Sequence, residues 1–250
     1  MLSRFLSNHT APIATVEPVP TIFPKIEGAD IAAVFVGKRV AGDFYDSIRA
    51  SSERVLIGML DIAGRRGDNR NLLVAAQDIF RNLGSELFSR ADINESDAMT
   101  ELCLCINRTL IDVCCGVHSC PAFIACYHEK FGTLCYTNAG HTPALLRDST
   151  STTELTSTGL PLGLFSHATC EAPTVGLAKG SSVLLVSRGV IDSEDGSSES
   201  FGLERVKDVF QTTPASSAKT LCSSILTAVA QFSDGAPLSD DRTALALVRP

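Results

Sequence analysis

The chain has 250 residues, 44% of them hydrophobic, enough apolar material for one large core or two small ones. Its net charge of −7 is spread without long runs, which disfavours a general affinity for nucleic acid through the phosphate backbone. Apolar runs such as Val183-Leu184-Leu185-Val186 are strand-sized, far short of the roughly 18 residues a membrane span needs, and Met1 to Pro20 has no apolar core for a secretory signal, so a soluble cytoplasmic protein is expected.

Residues 1–23, with Pro12, Pro18 and Pro20 among small polar residues, read as an extended lead-in, and a single folded domain is expected over 24–250. Ala29 to Val36, Val40 to Ile48 and Arg54 to Ile62 are strand candidates in succession, which predicts hairpins and an antiparallel sheet. Leu72, Ala76, Ile79, Phe80, Leu83 and Leu87 then recur at helical spacing. A second helix is expected from Asn94, a good cap residue, with the stripe Met99, Leu102, Cys103, Ile106, Leu110 and Val113. Short strands follow at Ala122 to His128, Leu134 to Asn138 and Ala144 to Leu146. Thr174 to Leu177 and Ser182 to Ser187 flank Lys179-Gly180 and read as another hairpin. Ser193 to Ser200 reads as a mobile polar loop, Leu203 to Phe210 and Ser217 to Phe232 as helices, and Ala244 to Val248 as the last strand. Strands, two helices, strands, two helices and a strand predict an α+β, four-layer αββα sandwich: two antiparallel sheets face to face with helices outside.

Nine cysteines are an odd count and read as small core hydrophobes rather than a disulfide frame. The densest group, Cys103, Cys105, Cys114, Cys115, His118 and Cys120, invites a zinc reading. Cys103 and Cys105 point to different faces of a helix, and only Cys114 and His118 have i, i+4 spacing, so buried thiols are the better expectation.

The chemistry is expected from carboxylates. Gly42-Asp43-Phe44-Tyr45-Asp46 falls in a strand, Asp61-Ile62-Ala63-Gly64 closes one, and Ser239-Asp240-Asp241-Arg242-Thr243 precedes the last. Singly, each is an ordinary turn or cap residue. Together they invite another explanation, because aspartate is a poor strand former and clustered carboxylates repel unless cations neutralise them. Such hard oxygen donors suit Mg²⁺ or Mn²⁺. No Gly-x-Gly-x-x-Gly follows a strand and no Walker-type Gly-Lys-Ser/Thr occurs, which leaves nucleotide or redox roles without support.

Ile26-Glu27-Gly28-Ala29-Asp30-Ile31 and Val40-Ala41-Gly42-Asp43-Phe44-Tyr45-Asp46 look like the opening of the stage II sporulation protein E-type (PPM-type) bacterial phosphatases. Asn138-Ala139-Gly140-His141-Thr142-Pro143, Pro161-Leu162-Gly163-Leu164, Phe201-Gly202-Leu203 and Asp240-Asp241-Arg242-Thr243 resemble later landmarks of that family, in family order. The resemblance implies the αββα sandwich and metal-dependent hydrolysis of phosphoserine or phosphothreonine on a regulatory partner, such as an anti-sigma-factor antagonist. By that resemblance Asp61 bridges two Mn²⁺ or Mg²⁺ ions, the carbonyl of Ile62 holds the first, Asp240 holds the second, and Asp43 orients water around them.

Two segments depart from the family pattern. Ser187-Arg188-Gly189 stands where a Thr-Asp-Gly is expected, and Gly64-Arg65-Arg66 replaces a glycine-rich turn. A guanidinium donates hydrogen bonds and cannot ligate a metal. Two outcomes are open: Arg188 takes the place of the second ion and pairs with Asp61 and Asp240, or it swings outward to contact substrate phosphate. The first predicts a catalytically silent homologue that binds a phosphoprotein or regulator; the second preserves weak activity. His141 is expected to fix a turn rather than act as an acid. Arg65, Arg66 and Arg242 are candidates for an anionic docking patch, with scattered surface arginines the ordinary alternative.

Overall fold

The computed structural model describes residues 18–37, 42–62, 66–113, 119–236 and 240–250, except the side chains of residues 42 and 66–68. One five-stranded sheet contains β1 (Asp30–Val36), β6 (Ala144–Arg147), β7 (Thr152–Leu155), β9 (Ser182–Val186) and β10 (Arg242–Val248), in the order β1-β10-β9-β6-β7. The other has β2 (Gly42–Arg49), β3 (Arg54–Ile62), β4 (Ala122–His128), β5 (Thr133–Ala139) and β8 (Thr174–Gly176) in that order. Neighbouring strands within both sheets run antiparallel.

Three apolar clusters separate four layers. Val55, Ile57, Met59, Phe123 and Tyr136 of one sheet meet Val183, Leu185, Leu245 and Leu247 of the other, forming the layer between the sheets. The opposite faces of those strands carry Leu56, Leu60, Ile124 and Cys126 against α1 (Arg66–Phe88) and α2 (Glu95–Val113). On the far side, Leu184, Val186, Ala244 and Ala246 pack on α4 (Gly202–Thr212) and α5 (Ala218–Ser233). Both faces of the central strands are covered, which is why β9 and β10 read as unbroken apolar runs instead of alternating. The predicted αββα sandwich is the observed one.

Caps fall where the side chains allow. Asn94 Oδ1 accepts the backbone N–H groups of Ser96 and Asp97 ahead of α2, and Ser217 Oγ accepts that of Thr220 to open α5. Among the described residues no helix is long and apolar enough to cross a membrane.

Two hairpin expectations are corrected. Strands β1 and β2 belong to different sheets, since β1 pairs with β10 at the other end of the chain. Likewise β8 pairs with β5 while β9 pairs with β10 and β6, so Lys179-Gly180 carries the chain from one sheet to the other. That crossing is held by Gly180 N–H donating to the Arg249 carbonyl and Leu177 N–H to the Gly132 carbonyl. Strand β7 and the single turn α3 (Arg188–Ile191) were not expected. The polar loop Ser193 to Ser200 is closed by a bridge between Glu194 and Ser200, with Asp195 Oδ1 accepting the N–H of Ser197 and Glu199.

Part of the lead-in is packed. Val19 exchanges two backbone hydrogen bonds with the buried Gln77 amide, Thr21 Oγ1 donates to the Tyr45 carbonyl, and Phe23 stacks on Tyr45. Cys103, Cys126, Cys135, Cys170 and Cys222 are buried thiols outside any disulfide, and Cys120 is buried too, as core fillers are. Cys114, Cys115 and His118 of the zinc reading lie outside the described residues.

Asn138, next to last in β5, is fully buried, its Nδ2 donating to the Leu155 carbonyl and its Oδ1 accepting the His141 N–H. Asn138→Ala leaves a buried donor and a buried acceptor without partners, and is expected to lower unfolding free energy by about 3 kcal/mol. Chemical denaturation of the two proteins checks this, and a loss below about 1 kcal/mol contradicts it.

Candidate active site

The β2–β3 ladder sets Asp43 directly across from Asp61, two carboxylates on one side of neighbouring strands, a pairing that destabilises a sheet when both are charged. The third carboxylate arrives from the other sheet. Asp240 stands two residues before β10, whose first residues continue past the last residue of β9. Asp43 Oδ2 accepts a hydrogen bond from Thr243 Oγ1 at 2.7 Å, a contact between residues 200 positions apart that ties the two sheets at this rim. Ser187 adds to the tie, its N–H donating to the Thr243 carbonyl while its Oγ accepts the Thr243 N–H.

The charges of the three carboxylates act on one another. Burial pushes Asp43 from an ordinary 3.8 up to about 7; hydroxyl bonds from Ser187 and Thr243 resist the rise, and Asp61 and Asp240 add to it. Burial also raises Asp61, against the Arg188 N–H and charge, with Asp192 pushing further up. Asp240 is raised by burial and by the charges of Asp61 and Asp241. Such a rim sacrifices stability, and clustered raised carboxyls in a cleft mark functional sites.

A carboxyl whose pKa is higher in the folded chain than in the unfolded one holds its proton more tightly when folded. Its contribution to stability is full below about pH 4 and is lost as pH rises toward 7. In chelator, Asp43→Asn is therefore expected to be more stable than the parent by about 3 kcal/mol at pH 8 and no more stable near pH 4. Melting curves at the two pH values test it; an equal offset at both shows that ionisation is not the cause.

Gly189, just after Arg188, lets this rim close. A Cβ there would lie 2.0 Å from the Asp241 carbonyl oxygen and 3.2 Å from Asp240 Cβ. A Cβ on Gly37, at the end of β1, would meet Asp241 Oδ1 at 2.1 Å. Glycine at both positions leaves room for the Asp240-Asp241 backbone beside Asp61.

Arg188 does not take a cation's place between Asp61 and Asp240. Its backbone N–H donates to Asp61 Oδ2 at 3.3 Å, while the guanidinium turns outward, 70% exposed, and pairs through Nε with Asp192 Oδ2 at 2.8 Å. The reason is local: Asp192 lies one turn on, at the C-terminal cap of α3, and pairing there leaves both groups hydrated. Ile62 ends β3, opposite Gly42, with its side chain buried. His141 is buried, brought down to about 4, and bonded through Nδ1 to Thr142, the arrangement of a neutral turn residue. Arg242 is no surface docking residue: it is 7% exposed and donates to Ser233 Oγ. Arg65 lies outside the described residues, as does the side chain of Arg66. Asp192 escaped the sequence reading, although its i, i+4 spacing from Arg188 was there to be used, and Ser187 and Thr243 stood inside motifs read there but were given no role.

Among the described residues no group of three His, Cys, Asp or Glu side chains is placed to hold a metal ion by itself. The donor chemistry suits an open site. A hard divalent cation of the Mg²⁺ type commonly takes one or two carboxylates and keeps its waters, and Asp61 with Asp240 can provide that number.

The sheet order and paired helices define the fold of PP2C-type phosphatase domains. The SiaA-PP2C domain of Pseudomonas aeruginosa superimposes with a TM-score of 0.74 at 18% identity, over 86% of this chain and 84% of that one. The PP2C phosphatase domain with a regulatory-domain fragment of SpoIIE from Bacillus subtilis gives 0.73 at 13% identity, over 90% of this chain and 64% of that one. RsbX, solved in complex with magnesium, gives 0.65 at 13% identity, over 90% and 96%. None of the curated proteins compared matches this chain. The family model for stage II sporulation protein E (SpoIIE) matches residues 51–250, and the chain belongs to that family.

Proposed function

We propose that this chain is a Mg²⁺- or Mn²⁺-dependent phosphatase acting on phosphoserine or phosphothreonine of a cytoplasmic regulatory protein, of the anti-sigma-factor-antagonist kind. The observation that carries this reading is the convergence of Asp43, Asp61 and Asp240, from three distant segments, on one rim between the sheets. Asp61 and Asp240 would hold the cation, with the Ile62 carbonyl as a further expected oxygen. When bound, the cation lowers the pKa of a coordinated water and offsets charge on the phosphoryl oxygens. Asp43 is held by Thr243 beside Asp61, so its carboxylate can accept a hydrogen bond from water within the rim and orient it. The buried Ser187 and Thr243 hydroxyls keep that carboxylate in place.

Position 188 sets the rate. A guanidinium supplies no oxygen to a second ion, so a two-ion clamp lacks one of its expected ligands and turnover is slow. The same residue favours a second reading, a silent homologue that binds a phosphoprotein through the cleft.

Hydrolysis of p-nitrophenyl phosphate and of a phosphoserine peptide with Mn²⁺, beside an EDTA control, separates the readings. The enzyme reading expects slow metal-dependent turnover that Asp240→Ala removes. An inert parent in which Arg188→Asp creates turnover establishes the silent reading instead. Calorimetric titration with Mn²⁺ is expected to give a single tight site, and two tight sites would show that a second ion does without a carboxylate at position 188.

A further inference from the structure

The guanidinium of Arg188 is held at the mouth of the carboxylate rim and engaged only at its edge. The residue's backbone is pinned to Asp61 through its N–H. Its side chain bonds through Nε to Asp192 Oδ2 at 2.8 Å, with the two side chains 70% and 54% exposed. The Nη donors have no acceptor among the described residues. Asp61 and Asp240 are near enough for their charges to act on the guanidinium, after the larger effect of Asp192. An exposed i, i+4 ion pair adds little to stability and opens readily. It is therefore a placeholder that a better anion can replace.

We propose that Arg188 is the anchor for the substrate's phosphoryl group, and that Asp192 occupies the guanidinium until a phosphorylated serine or threonine displaces it. A phosphate dianion matches the planar fork with two oxygens, whereas Asp192 uses one edge and carries one charge. An anionic group approaching Asp43, Asp61 and Asp240 needs a fixed positive charge at the entrance, and Arg188 provides it from outside the cation's position. Residue 188 thus contributes substrate binding in place of metal ligation. This inference rests on the reading that the rim receives a phosphoryl group, but not on the chain turning it over.

The test is binding of O-phospho-L-serine in EDTA, followed by ³¹P NMR titration and set against serine and inorganic phosphate. The parent is expected to bind phosphoserine and not serine. Arg188→Ala should weaken that binding at least tenfold, Arg188→Lys should recover part of it, and Asp192→Asn should tighten it severalfold. Melting temperatures of these surface variants confirm that each is folded. The proposal is overturned if the parent fails to bind, or if Arg188→Ala leaves affinity unchanged. It is also overturned if Asp192→Asn weakens binding, because Asp192 then aims the guanidinium, or the freed guanidinium falls onto Asp61 and Asp240. Arginine-dependent binding by a chain inert with Mn²⁺ would retain this inference while removing the phosphatase reading.

Discussion

Asp61→Ala is expected to reduce Mn²⁺-supported phosphoserine hydrolysis by at least about a thousandfold, which corresponds to roughly 4 kcal/mol of lost transition-state stabilisation. Asp61 faces Asp43 across the ladder and accepts the Arg188 N–H, so it joins the strand pair to the turn that carries the phosphate anchor. On the proposed function, its removal takes away one of the two carboxylates that would hold the cation. Stability should move the other way. Burial raises the Asp61 pKa, so its ionised form is a burden on the fold near neutrality. The variant should melt no lower than the parent at pH 7.5 while being inactive. A parallel fall in melting temperature and activity would assign Asp61 a structural role, and turnover within tenfold of the parent would contradict its place in the site.

Gly189→Ala is expected to be nearly as damaging, by a different route. The added methyl would lie 2.0 Å from a backbone carbonyl oxygen and 3.2 Å from Asp240 Cβ, so no rotamer change relieves it. Either α3 or the Asp240-Asp241 segment must move by an ångström or more. The expected cost is about 3 kcal/mol, read as a melting temperature lower by about 6–12 °C. Displacing Asp240 from Asp61 by that distance should also lower turnover by about a hundredfold. Calorimetry and the same hydrolysis assay check both; a variant with parental melting and rate would show that the turn is not tightly packed.

Most helices were legible because their apolar stripes have the period of the structure they form. Leu72, Ala76 and Phe80 of α1 and Met99, Leu102, Cys103, Ile106 and Leu110 of α2 are buried where the spacing places them. Strands were legible as apolar runs, but their partners were not. Val34 pairs with Ala244 and Leu145 with Leu184, and nothing local in either run specifies the other. Lys179-Gly180 has the composition of a hairpin turn, yet β8 and β9 pair into different sheets. Strand β7, Thr152–Leu155, has one buried residue in four and lies at a sheet edge, too weak a pattern to stand out.

By itself, the sequence determined the layer architecture, because that follows from local periodicity, and it nominated Asp43, Asp61, Asp240 and Arg188 as site residues through motifs read along the chain. Only the tertiary structure decided that Thr243 reaches Asp43, that Gly189 makes space for Asp240, and that the Arg188 guanidinium faces Asp192. The first two join residues tens to hundreds of positions apart. The third is local, but its outcome is a competition between an exposed partner one turn away and two carboxylates in a partly buried rim. Hydration of the exposed pair settles that competition, and a linear reading carries no measure of hydration.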